Sequence, residues 1–137
     1  MSKEELENLE TLSEKFIEGF SNAQSLFSVH MDFPFGFAVC LRGIAESGNR
    51  DLFQRVVDSY VSYSEKVNQG NMNQEQIKLE ALDFIEFQCK VGDTGRMTIG
   101  TPGAYKTDGP ARTMFLDMYS GQLAMDKGYA VTNSIKI

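Results

Sequence analysis

Residues 30–40, HMDFPFGFAVC, bring together the chain's single histidine, one of its two cysteines and an aspartate. Cysteine beside histidine can form a nucleophile with its base, and His, Cys and Asp can together ligate zinc. Neither chemistry closes here. A zinc site needs four ligands, whereas the chain has one His and two widely spaced Cys. A catalytic thiol needs a polar, partly exposed setting, and Cys40 lies inside the apolar run FAVCL. The stretch therefore reads as packing, with Pro34 turning the chain into a helix and His30 and Asp32 in the loop before it.

A second stretch, GTPGAYKTDGP at 100–110, has part of the spacing of a phosphate-binding loop. Gly100 and Lys106-Thr107 fit the G-x-x-x-x-G-K-[ST] pattern, but Tyr105 stands where a glycine is required. Asp108-Gly109-Pro110 follows, which is read as forbidding the helix whose N-terminus would hold the anion. Carboxylate pairs such as Glu80 with Asp83, or Asp117 with Asp126, have no recognisable base, nucleophile or metal cluster beside them. No metal, cofactor or catalytic constellation is expected, so binding is favoured over catalysis.

The elements that would position these residues follow from periodicity. Ser2 with Glu5 makes a capping box, and Leu6, Leu9, Phe16, Phe20 and Phe27 recur at helical steps, which predicts a helix over about 3–28. Its other face carries Glu7, Glu10, Glu14 and Glu18, read as a solvated acidic stripe. FAVCLRGIAESG predicts a short buried helix ended by Gly48. Asn49 caps the next helix, which Gly70 stops, and Asn73 with Gln76 starts another of about ten residues.

Near residue 84 the apolar period changes to two. Ile85, Phe87, Cys89 and Val91 alternate with polar residues in FIEFQCKV. A three-residue loop over Asp93-Thr94-Gly95 places Val91 opposite Met97 and Cys89 opposite Ile99, all on one apolar face. A two-residue turn at Ser120-Gly121 likewise sets Met118 opposite Leu123 and Leu116 opposite Met125. The predicted fold is α+β in two layers, with N-terminal helices packed on one face of a four-stranded antiparallel β-meander. It is one domain over 1–137, about 1–83 mainly helical and 84–137 mainly sheet.

The sheet reading sends Phe84, Phe115 and Tyr119 outward, and the long connection at 101–112 presents Tyr105, Lys106 and Arg112. These six residues are the predicted binding set. The net charge of −6 argues against nucleic acid as a partner. Residues 1–92 hold 15 acids against 8 bases, and 93–137 hold 4 against 5. No run approaches the roughly 20 apolar residues of a membrane span. The acidic opening MSKEELENLE is unlike an export signal, so a cytoplasmic protein is expected.

Three functions are compatible with these features. The leading one is a small acidic protein-binding module of adaptor, chaperone or inhibitor type, homodimeric, acting on a protein partner, in one version a basic one. A second is a small-ligand-binding protein or enzyme with an apolar pocket between helices and sheet. The third is a structural or assembly protein whose C-terminus, AVTNSIKI, adds a strand to a neighbour.

Overall fold

The structure, a computed structural model, describes residues 2–22, 35–93 and 109–127. It contains helices α1 (Lys3–Asn22), α2 (Phe35–Ser47), α3 (Arg50–Val67), α4 (Gln74–Asp93) and α5 (Pro110–Lys127). Among the described residues there is no strand.

The N-terminal boundaries form as their sequence chemistry dictates. The Glu5 N–H donates to Ser2 Oγ at 3.1 Å, and the Ser2 N–H reaches back to Glu5 Oε1 at 3.4 Å. The predicted first helix is described as far as Asn22. Gly48 follows α2 with φ +75°, a conformation that costs a side-chain-bearing residue about 1–2 kcal/mol. Asn49 Oδ1 accepts the Leu52 N–H at 3.0 Å and so caps α3. Asn68 ends α3, two residues before Gly70 at φ +85°. Asn73 Oδ1 accepts the Gln76 N–H at 2.8 Å and starts α4.

The four-stranded meander expected for 84–137, and the α+β class with it, is overturned, because the described part of that region is helical. Helix α4 runs twenty residues rather than ten, through FIEFQCKV to Asp93. It buries Ile77, Ala81, Leu82, Ile85 and Cys89, positions i, i+4, i+5, i+8 and i+12, which lie on one helical face. Phe87, which the strand reading put inside, is 50% exposed. Helix α5 buries Ala111, Met114 and Phe115 and packs Met118 against the core, again at helical spacing. Ser120-Gly121, expected as a turn, lies inside it. Pro110 does not forbid a helix; it begins one, because at the first helical position its missing N–H has no partner to lose.

Helix α2 packs against each of the other four, which explains why Phe37, Ala38, Cys40, Leu41 and Ile44 are all fully buried. Helix α1 also packs on α3, and α4 on α3 and α5. A cluster of rings joins the first four helices. Phe37 lies 5.4 Å from Phe16 and 5.4 Å from Phe20, and Tyr60 lies 5.3 Å from Phe20 and 5.0 Å from Phe84, measured between ring centroids. Among the described residues no helix is long and apolar enough to cross a membrane.

Candidate functional site

Two concentrations of charge remain once the core is assigned. The first is an open cleft of about 850 Å³ between α1 and the start of α3. Four of its carboxylates, Glu7, Glu10, Glu14 and Glu18, come from one stripe of α1, because steps of three and four residues keep them on one helix face. Asp51, in the first turn of α3, supplies the fifth. Lys15 and Arg55 oppose them, and Arg55 Nη2 meets Glu14 Oε1 at 2.7 Å with both side chains about half exposed. Packing of Phe16 and Phe20 into the core fixes the stripe's direction, so the cleft follows from the same amphipathic pattern that folds α1.

The second is buried, at the junction of α2, α4 and α5. The Asp93 side chain, on the last residue of α4, accepts the Ala111 N–H at 2.9 Å and the Arg112 N–H at 3.1 Å. A carboxylate from one helix thus caps the N-terminus of the next, where the helix dipole favours negative charge. Gly109 sits so close to this carboxyl that a Cβ there would overlap it. Arg42 donates to the carbonyls of Gly92 and Asp93 at 3.1 and 3.0 Å, closing the C-terminus of α4. Arg112 pairs with Glu86 at 2.8 Å, with side-chain exposures of 3% and 14%. Asp93 and Arg112 are buried, while Arg42 is part-exposed and also pairs with Glu46 at 2.8 Å; together their bonds make the junction a positioning device for α5.

Burial pushes the Asp93 carboxyl above its usual range, outweighing the two N–H donors, Arg42 and Arg112, which act the other way. The folded protein therefore holds this proton more tightly than the unfolded chain does. Asp93's contribution to stability is full below the usual carboxylate range and is lost as pH rises through its raised native value. Urea titrations of wild type and Asp93→Asn from about pH 7 to about pH 4 should show the gap moving in favour of wild type as pH falls. A gap that does not change with pH, or that narrows, contradicts the penalty on the buried charge.

Of the six residues expected to bind, Phe84, Arg112, Phe115 and Tyr119 fall among the described residues, and these four do not form a shared exposed face. Phe115 is 0% exposed and Arg112 3% exposed, so neither offers a face to a partner. Phe84 is half-buried and stacks in the aromatic cluster, 5.0 Å from Tyr60. Tyr119 stacks on Phe115 at 5.3 Å, and its hydroxyl donates to Asp58 Oδ1 at 3.1 Å. Tyr105 and Lys106 lie outside the described residues, as do His30, Asp32 and the C-terminal AVTNSIKI.

Cys40 behaves as packing. It is fully buried, 3.4 Å from the Ser13 hydroxyl, and burial pushes its thiol up to about 11. The Cys89 thiol is also raised well above its usual range, by burial first and then by the nearby Asp93 and Glu86 carboxylates. A thiol held protonated is a poor nucleophile. Among the described residues no three His, Cys, Asp or Glu side chains converge to hold a metal ion.

The acidic stripe of α1 was readable as a charged face, but its opposite wall was not. Asp51 and Arg55 reach it only because α1 packs on α3, a contact no local pattern encodes. Compared with protein-family models, curated proteins and solved structures, the chain matches none.

Proposed function

We propose that the protein is a helical protein-binding module that receives a basic segment of another protein in the cleft between α1 and α3. The observation that carries this reading is the cleft's charge: five carboxylates face two cations across about 850 Å³ of open space. Such a surface attracts Lys- and Arg-rich chains and speeds their encounter, with an affinity that falls as salt rises. The cleft's lining is mainly charged, which suits a solvated basic chain better than an apolar metabolite. Two free, buried thiols agree with a reducing compartment, and the reading places the protein in the cytoplasm. A homodimer through the Phe115–Tyr119 face loses its support, because Phe115 is buried.

The test uses decalysine as the probe, with binding to the full chain followed by calorimetry at low and at moderate salt. Glu7→Gln with Glu10→Gln should weaken binding by about five- to tenfold, the effect of removing two partly screened charge contacts. Glu75→Gln with Glu80→Gln on α4 removes the same charge from another exposed face and should change affinity by less than about twofold. Equal losses in both pairs, or no binding to wild type at low salt, would defeat the proposal.

A further inference from the structure

We infer that the basic segment taken by the cleft is an α-helix lying along α1 and α3, with Lys or Arg on one face at steps of three and four residues. This rests on the proposed reading of the cleft and adds the conformation and register of its occupant.

The two walls of the cleft run the same way. Arg55 meets Glu14, and further along Lys66 donates to the Ser21 carbonyl at 3.5 Å, so both chains advance together. Two helices packed side by side leave a groove along their outer face, and their axis spacing of about 8–10 Å suits a third helix. Along the α1 wall Glu7, Glu10, Glu14 and Glu18 follow one another at steps of three, four and four residues. They span about 16 Å at the helical rise of about 1.5 Å per residue. Among the described residues Glu14 alone of the five cleft carboxylates is in an ion pair, so Glu7, Glu10, Glu18 and Asp51 keep their charge for a partner.

That spacing selects a helix. Side chains on one stripe of a helix recur at the same three- and four-residue steps and the same rise, so successive cations meet successive carboxylates in register. An extended chain turns a side chain to one face about every 6.7 Å and covers about 20 Å in three such steps, which leaves it out of register by about 4 Å. The backbone points the same way. Both walls are helix faces, which have no row of open N–H and C=O groups to pair with a strand. A helical occupant satisfies its own backbone and needs only side-chain contacts from the cleft.

Two sixteen-residue peptides of identical Ala, Gln and Lys content, bound to the full chain, test the inference. One carries four lysines at steps of three, four and four residues, the other at every second residue. Calorimetry at low salt should show the first binding at least about fivefold tighter, the effect of losing contact with two of four carboxylates through poor register. Circular dichroism of its complex should show more helix than the sum of the free components, whereas the second peptide should gain little. Like charges four residues apart weaken a free helix, so the first peptide's own propensity works against this result. Glu7→Gln with Glu18→Gln removes both ends of the stripe and should bring the two affinities to within about twofold of each other. Equal or tighter binding of the alternating peptide, or binding without a gain of helix, would overturn the helical occupant and leave the cleft's preference for basic segments standing. Binding of neither peptide would defeat both readings.

Discussion

Phe115→Ala is expected to destabilise the protein by about 3–5 kcal/mol, the range for emptying a fully buried phenylalanine site. Phe115 is 0% exposed and sits in the main core cluster beside Ala111, Met114 and Leu116. Its ring stacks on Tyr119 at 5.3 Å with the planes 23° apart, so truncation forfeits that contact as well as the buried area. The midpoint of urea unfolding measures the loss. A change below about 1 kcal/mol would mean that Phe115 stands in solvent, as an outward-facing strand residue would. The two readings of this one residue thus make opposite forecasts. An exposed contact residue leaves the fold intact when removed, and a core residue does not.

Why the sequence supported the wrong alternative there, and the right one earlier, has a physical answer. The first half is punctuated by residues whose side chains or backbones act locally. Ser2 with Glu5, Asn49 and Asn73 each bond an N–H three residues away, and Gly48 adopts its positive φ within its own turn. Such signals need no tertiary context. In the second half two periods compete. Ile85, Phe87, Cys89 and Val91 alternate, but Ile77, Ala81, Leu82, Ile85 and Cys89 also satisfy a helix. The hairpin registers agree with burial because, with a period of two, half of all loop lengths align two alternating segments on one face, so a suitable loop is always at hand. Agreement between them added little.

The helical alternative carried two further signals. Ala111, Met114, Phe115 and Met118 fall at helical spacing, and Pro110 stands where a helix tolerates proline best. Length also argued for it. The run from Gln74 to Asp93 is rich in Leu, Glu, Gln, Lys and Ala, whose intrinsic preference is helical. What no local rule could supply is the Asp93 junction. A carboxylate that caps a helix eighteen residues downstream is invisible until α4 and α5 are packed together. The same holds for the second wall of the acidic cleft.

Next to the Asp93 junction, α4 passes α2 at a residue without a side chain, Gly92, which sets the second large expectation. Gly92→Ala should destabilise the protein by about 3 kcal/mol, at the upper end of overpacking costs. In an ordinary helix the same change would stabilise by about 1 kcal/mol, so context must reverse the sign. At Gly92 an added Cβ would overlap the carbonyl oxygen of Ala38, with the Ala38 carbonyl carbon at 3.2 Å and Arg42 Cβ at 3.3 Å. Two of these three atoms belong to the backbone of α2 and cannot rotate away, so α2 and α4 must separate. Arg42 would then be drawn off the carbonyls of Gly92 and Asp93, and the Asp93 carboxyl off the N-terminus of α5. Gly48→Ala is the internal comparison. Its Cβ meets nothing within 4 Å, and only its φ of +75° resists substitution, for a cost of about 1–2 kcal/mol. Thermal or urea unfolding should rank Gly92→Ala well below Gly48→Ala. A Gly92→Ala protein as stable as wild type would mean that α2 and α4 do not approach this closely, and the Asp93 junction would lose the contact that holds it shut.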